Sequence, residues 1–286
     1  MNLHIDRYEY SGGGKSGTPL VLIHGWGMHG GMWRTVAEQL AQQFNVYAVD
    51  LPGHGYSVGS KNPFGLSMSK PEQVGDQQFD KLTANGPRLT LDAIVDQLSA
   101  QLDEPLTVCG WSLGGQVALR WALRHPQQVQ KLVMVASTPC FVRLEDWRYA
   151  LSVEILEEFA VNLQQNYTLT LKRFLSLQMR GSDQEREILA VLRDALFSRG
   201  EPDLTALQDC LEILRTCDQR AALPGLQQPM LVIEGERDTM IPHQATQYLA
   251  SNAPYGRLAI IKGAAHAPFL SHSEEFVRHM QEFMKG

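Results

Sequence analysis

A serine hydroxyl is a poor nucleophile until a base takes its proton, and the base works only when a third group fixes its ring. The stretch Gly110-Trp111-Ser112-Leu113-Gly114 offers the first of these parts. Gly-x-Ser-x-Gly by itself matches glycine-rich chains by accident, so its surroundings decide. Here it directly follows the apolar run Leu106–Cys109, which reads as a buried strand. It directly opens Leu113–Arg124, which reads as a helix stopped by Pro126. In a strand–turn–helix of this kind the turn is so sharp that the serine is held in a strained conformation, while the flanking glycines let strand and helix approach. The bland alternative, a glycine-rich turn with a helix-capping serine, explains less of that context.

The partners of Ser112 are expected in the chain order serine, acid, histidine. Asp238 lies in the turn Gly235-Glu236-Arg237-Asp238, just past the strand-like run Met230–Glu234. His266 lies in Gly263-Ala264-Ala265-His266-Ala267-Pro268, just past Leu258–Ile261. A parallel sheet delivers both turns to the edge that carries Ser112. Asp218 precedes the Met230–Glu234 run and is expected at the opposite edge. His243, His272 and His279 fall in, or at the start of, helical patterns, where a structural histidine is the usual outcome. An oxyanion needs two backbone N–H donors. Leu113, after the nucleophile, supplies one. Trp26, in His24-Gly25-Trp26-Gly27 after the strand Leu20–Ile23, supplies the other, with its ring either walling the acyl pocket or filling the core. Asp50–Ser57 is turn-rich and reads as packing beside the site. His24, His29 and His54 have no metal-ligand spacing, so no metal and no organic cofactor is expected.

These residues need a scaffold that gathers distant turns at one edge. Short apolar runs alternate with helical patterns: strand Leu20–Ile23, helix Trp33–Phe44, strand Val46–Val49, helix Leu91–Leu102, strand Leu106–Cys109, helix Leu113–Arg124 and strand Lys131–Ala136. The spacing predicts a mostly parallel sheet flanked by helices. The alternation then stops. Helical stretches at Ser152–Leu163, Leu169–Gln178, Glu185–Phe197 and Leu204–Thr216 follow before strands return at Met230–Glu234 and Leu258–Ile261, with a last helix over Ser273–Met284. Residues 1–137 and 227–286 are therefore read as the core, and 138–226 as a helical cap inserted where ligands collect in open α/β sheets. Residues 58–88 are polar and aperiodic and read as a long loop.

The chain has 286 residues, 44% of them apolar, which suffices for one large core with a modest appended unit. A net charge of −6 argues against nucleic acid as the main partner and gives no pull toward anionic membranes. Cys109, Cys140, Cys210 and Cys217 form no Cys-x-x-Cys pair and read as free thiols. With no signal-like apolar stretch after Met1–Tyr10 and no run long enough to span a bilayer, a soluble cytoplasmic monomer is expected.

Taken together, His24–Gly27, Asp50–Ser57, Gly110–Gly115, Gly235-x-x-Asp238 and Ala265-His266-Ala267-Pro268 resemble the α/β-hydrolase superfamily over nearly the whole chain. More narrowly, the chain is similar to the esterases that act on pimeloyl-acyl carrier protein methyl ester in biotin synthesis. That likeness is carried by Leu22–Met28, Gly110–Gly115, Ala136–Phe141, Arg173–Gln178 and Ala264–Phe269. The resemblance implies an α/β-hydrolase fold with Ser112, Asp238 and His266 as catalytic triad and removal of a methyl group as methanol. It implies a substrate pocket of Trp26, Ser112, Leu113, Phe174, Leu175, Ser176, Leu177, Gln178 and His266. It also implies an acidic acyl carrier protein as partner, for which Lys172, Arg173, Arg186 and Arg193 are candidate contacts, although Asp183, Glu185, Glu187 and Asp194 lie among them. The 58–88 loop is longer than the family pattern. The triad fits a broad short-chain carboxylesterase or a carbon–carbon bond hydrolase equally well, and a non-catalytic ligand-binding protein on the same fold would keep the same residues.

Overall fold

The structure, a computed structural model, describes residues 2–12, 17–58 and 89–286. The expected polar loop at 58–88 lies, apart from Val58, outside the described residues.

Seven strands form one sheet in the order β1-β3-β2-β4-β5-β6-β7. They are β1 Ile5–Tyr8, β2 Leu20–Ile23, β3 Val46–Val49, β4 Leu106–Trp111, β5 Val129–Val135, β6 Met230–Gly235 and β7 Gly256–Ile261. All neighbours pair in parallel except β1, which runs antiparallel to β3 with Ile5 opposite Val49. The central strands are apolar on both faces because helices cover both. All of Leu20–Ile23 and Leu106–Trp111 is buried. At about 1.5–3 kcal/mol per buried aliphatic side chain, even a four-residue strand such as β2 is firmly held.

The helices follow the apolar periodicity. They are α1 Arg34–Leu40, α2 Leu91–Gln101, α3 Leu113–Arg124, α4 Val153–Met179, α5 Glu185–Ala195, α6 Leu204–Thr216, α7 His243–Asn252, α8 Pro268–Ser271 and α9 Ser273–Lys285. The expected helix over Trp33–Phe44 is shorter. A 3₁₀ turn at Gly30–Trp33 precedes α1, and Leu40 already accepts from the amides of Gln43 and Phe44, which closes the chain into β3. Strand β1 has no counterpart in the sequence reading. It is four residues long and carries Asp6 and Arg7, as a short edge strand tends to.

Between β5 and β6 the described chain has helices and isolated bridges but no strand of the sheet. Two helices were expected across Ser152–Gln178, and α4 does break, at Asn166 (φ −154°, ψ 80°). The Asn166 Oδ1 accepts from the Leu169 amide at 3.1 Å, so this residue caps the second half. The inserted helices rest on the loops that leave β2, β3, β6 and β7. Among the described residues no helix is long and apolar enough to cross a membrane.

Candidate active site

Ser112 sits between β4 and α3 with φ 54° and ψ −117°, a region that L-residues rarely enter. The surroundings enforce it. Its amide donates to the Val135 carbonyl at 2.9 Å, and its carbonyl accepts from the Gly115 amide at 2.9 Å and from Ser137 Oγ at 2.7 Å. A Cβ on Gly110 would stand 2.0 Å from the Gly114 carbonyl oxygen, and one on Gly114 would stand 2.4 Å from that of Ile23. Only glycine fits at either position, which explains the motif physically.

Asp238 and His266 meet as their strand positions require. The His266 Nδ1 lies 2.8 Å from Asp238 Oδ2, and the two side chains are 0% and 1% exposed. Burying a carboxylate is costly unless its oxygens are bonded. The other oxygen, Oδ1, accepts from the amides of Met240 at 2.8 Å and Ile241 at 3.0 Å. The acid and base turns are stitched to each other as well, with the Arg237 amide on the Ala264 carbonyl at 2.8 Å and the Glu236 amide on the Ile261 carbonyl at 3.0 Å.

With Nδ1 donating to the carboxylate, the other ring nitrogen is the acceptor. The Nε2 of His266 is buried and has no hydrogen-bond partner among the described residues. Such an orphan costs about 1–3 kcal/mol, and a base waiting for a proton is a good reason to tolerate it. The ring lies beside the nucleophile turn. Trp111 Nε1 donates to the His266 carbonyl at 2.8 Å, and the two rings are 5.9 Å apart.

The expected oxyanion donors flank Ser112. Leu113 opens α3, where an amide has no acceptor within its own helix. The loop after β2 closes with the Met28 amide on the Gly25 carbonyl at 3.2 Å. A Cβ on Gly25 would lie 3.3 Å from Ser112 Cβ, so this loop rests against Ser112. Trp26 next to it is buried. Its Nε1 donates to the Leu207 carbonyl of α6 at 2.9 Å, and Phe174 of α4 meets its ring at 5.0 Å, T-shaped.

Of the stretch 174–178, Phe174, Leu175 and Gln178 turn inward, and the Gln178 carbonyl accepts from the His266 amide at 3.1 Å. Leu177 is 40% exposed, and Ser176 Oγ bonds the Lys172 carbonyl within its own helix, so these two face away. Lys172, Arg173, Arg186 and Arg193 are exposed and form no ion pair among the described residues. They lie among the exposed acids Asp183, Glu187 and Asp194.

The competitors are occupied elsewhere. His243 pairs with Glu234 at 2.6 Å, His272 with Ser271 at 2.9 Å, and His279 faces Glu275 at 3.8 Å. Asp218 is not at the far edge of the sheet as expected. It bridges to Cys140 in the segment leaving the carboxyl end of β5, because the insertion folds back over that edge before entering β6. Arg220 holds its carboxylate at 2.7 Å.

Sequence reasoning gave Asp50 no chemical part, and the structure shows what it holds. Its buried carboxylate accepts from the amides of Gly30 at 2.6 Å and Tyr56 at 2.8 Å, and from Arg199 of the insertion at 3.2 Å. The links from the insertion to the base and acid turns, through Gln178, Asp183 and Arg237, were also missed, since no local pattern announces a contact between distant loops.

A buried acid–histidine pair beside a serine in a strained strand–helix turn, on a mostly parallel sheet, defines a hydrolase-type scaffold. The chain belongs to the alpha/beta hydrolase fold family, which residues 18–273 match. Among its relatives, the pimeloyl-[acyl-carrier protein] methyl ester esterase of Chromobacterium violaceum is 40% identical over 285 residues, covering 100% of this chain and 99% of that one. The protein of the same name from Nitrosomonas europaea is 42% identical over 263 residues, covering 92% and 94%. Solved structures that resemble the fold include an esterase from Exiguobacterium antarcticum, with 18% identity and a TM-score of 0.77 over 99% of this chain and 96% of the other. An enol-lactonase from Burkholderia xenovorans, with 21% identity and a TM-score of 0.78, has the same two coverages. Different activities at this level of identity speak for the fold alone.

Proposed function

We propose that this protein is a serine carboxylic ester hydrolase that removes the methyl group from pimeloyl-acyl carrier protein methyl ester, giving pimeloyl-acyl carrier protein and methanol in biotin synthesis. The hydrolytic part rests on one observation: the buried His266, oriented by Asp238, keeps an unpartnered Nε2 beside the turn that holds Ser112. The substrate part is supported by relatives of that name at 40–42% identity over most of the chain.

In this reading Ser112 attacks the ester carbonyl while His266 Nε2 takes its proton. The amides of Trp26 and Leu113 hold the oxyanion. His266 returns the proton to the departing methoxide and then activates a water that releases the acid and restores Ser112. Asp238 keeps the Nδ1–H tautomer throughout. These steps use this chain's own side chains and amides. The insertion 138–226 acts as a cap, and the 1–137 and 227–286 segments form the catalytic core. Phe174, edge-on to the Trp26 ring, and the buried Leu175 beside it in the chain give apolar surface suited to an acyl chain. Lys172, Arg173, Arg186 and Arg193 are the cap residues whose charge suits an acidic carrier, and the protein works as a cytoplasmic monomer.

The test is hydrolysis by the purified enzyme of pimeloyl-carrier methyl ester against short p-nitrophenyl esters, with complementation of a bacterium lacking its own esterase for this step. Turnover of the carrier-bound ester and growth without biotin are expected. Strong preference for the short esters, with no carrier-bound turnover and no growth, replaces this reading with a broad carboxylesterase. Absence of fluorophosphonate labelling at Ser112 replaces it with a binding protein.

A further inference from the structure

The cap touches the acid and base turns at several points clustered in one short segment. The Gln178 carbonyl accepts the His266 amide at 3.1 Å, and the Asp183 amide donates to the Gly263 carbonyl at 3.0 Å. The Asp183 carboxylate pairs with Arg237, the neighbour of Asp238, and Arg237 Nη1 also donates to the Gly181 carbonyl at 3.2 Å. Gly263 has φ +73°, and a Cβ there would stand 2.1 Å from Asp183 Oδ2, so the carboxylate lies directly over the base turn. Below it, the Gly263 amide donates to Glu236 Oε2 at 3.1 Å, which ties the base turn to the acid turn.

The other seam of the cap is built differently. Arg199, with a side chain 12% exposed, bridges Asp50 and Asp6. His29 Nε2 bonds the Ala195 carbonyl at 2.8 Å, and the Asp203 amide bonds the Gly53 carbonyl at 2.8 Å. That seam is an anchor. At the Asp183 seam both partners of the ion pair are about half exposed, at 55% and 47%. Exposed pairs add little to folding stability, so this contact can part without unfolding the protein. What it holds is sensitive, because small displacements of reacting groups cost rate steeply.

We infer that Asp183 is a positioning residue, which clamps the turns of Asp238 and His266 through Arg237 and Gly263 so that their alignment depends on the cap being seated. The inference rests on the triad reading above. It couples cap closure to catalytic competence, since lifting the 178–183 segment frees the Gly263 carbonyl, the His266 amide and Arg237 together.

The experiment uses the full chain with Asp183→Ala, Asp183→Asn, Arg237→Ala and the exchange Asp183→Arg with Arg237→Asp. The ester is p-nitrophenyl acetate, too short to use the acyl wall of the cap, set against p-nitrophenyl hexanoate. Asp183→Ala is expected to lower kcat for the acetate by about three- to fivefold, the effect an exposed pair can exert, with KM little changed. Fluorophosphonate labelling of Ser112 slows by the same factor, and the downfield imidazole N–H proton signal of His266 shifts. Arg237→Ala behaves alike, Asp183→Asn falls between, and the exchange restores most of the rate. Wild-type kcat, labelling and proton signal in both single variants overturn the clamp. So does a loss confined to KM for the hexanoate, which makes Asp183 a substrate contact. If the wild-type protein itself is not labelled at Ser112, the triad reading has failed and the clamp falls with it. A labelled wild type beside unaltered variants defeats the clamp alone.

Discussion

Trp111 and His266 lie 155 positions apart, and the indole N–H of the first donates to the backbone carbonyl of the second at 2.8 Å. The residue before Ser112 therefore holds the peptide of His266. The Trp111 ring is fully buried and meets Phe269 at 5.0 Å, T-shaped, so it has little freedom to release that bond. The bond ties the Ser112 turn to the His266 turn, separately from the inserted helices' contacts at Gly263 and Arg237.

Replacing Trp111 with Phe keeps most of the buried apolar area and deletes the bond. The His266 carbonyl is then left without this donor, at a cost of about 1–3 kcal/mol in stability. The base also loses its tether, and kcat is expected to drop about tenfold, whereas KM for a short ester changes little. Thermal unfolding and steady-state kinetics measure both. Unaltered kcat in a folded variant removes Trp111 from the positioning of the base.

Asp238→Asn tests the orienting role proposed for Asp238. The amide can still accept from the amides of Met240 and Ile241, so the fold survives. Its NH₂ group, however, favours the wrong imidazole tautomer, and a loss of about 10⁴ in kcat is expected by analogy with serine protease triads. Ser112→Ala should leave the fold intact and abolish labelling. A residual rate above one-tenth of wild type in Asp238→Asn would mean that another acid orients His266.

The turns that carry Ser112, Asp238 and His266, and the pairing of the last two, were legible in the sequence because these turns follow strands whose apolar runs are unmistakable, β4, β6 and β7, and because chain order selects among the histidines. The inserted helices were legible from the same periodicity, with the α4 break near Asn166 falling in the gap between two expected helices. Strand β1 was not, since Ile5–Tyr8 alternates weakly and carries two charges. Asp218 was misplaced because an argument from strand polarity ignores how the insertion returns across the sheet edge. The inward and outward faces of 174–178 also needed the structure: the stretch was one block in the sequence, yet helix rotation sends Phe174, Leu175 and Gln178 one way and Leu177 the other.

Trp26 joins two functions that substitution can separate. In the proposed mechanism its amide serves the oxyanion, while its ring meets the inserted helices through the Leu207 carbonyl and Phe174. In Trp26→Phe the amide remains. Turnover of p-nitrophenyl acetate is therefore expected to stay within about threefold of wild type, against the ~10²–10³ that losing an oxyanion donor costs. The effect falls instead on KM for long acyl esters, which rises as the cap wall loosens. A fall in acetate turnover of about a hundredfold would show that the ring positions the oxyanion amide as well.

Acid sensitivity follows from histidines outside the triad. Burial, reinforced by the neighbouring His54, holds His24 well below its usual range, and burial also lowers His54 and His29. His24 is bonded as a neutral ring, with Nδ1 donating to the Gly25 carbonyl at 2.8 Å and Nε2 accepting from the Leu51 amide at 2.9 Å. In the unfolded chain a histidine takes its proton near pH 6.5, so below that value the unfolded state binds more protons and stability rises with pH. The contribution is complete above about pH 6.5 and is lost as pH falls below it, by up to about 1.4 kcal/mol per pH unit for each such histidine. Asp6 acts in a separate, lower window. Burial works to raise its pKa, but the bonds from Arg199 and His4 outweigh it, so its share is lost only as pH falls below the ordinary carboxylate range. Thermal unfolding at pH 7.5, 6.5 and 5.5 should show a midpoint that drops below pH 6.5. His24→Gln, which can still donate and accept, should unfold earlier at pH 7.5 yet lose less between pH 6.5 and 5.5. Parallel curves for variant and wild type would clear His24 of any part in the acid response.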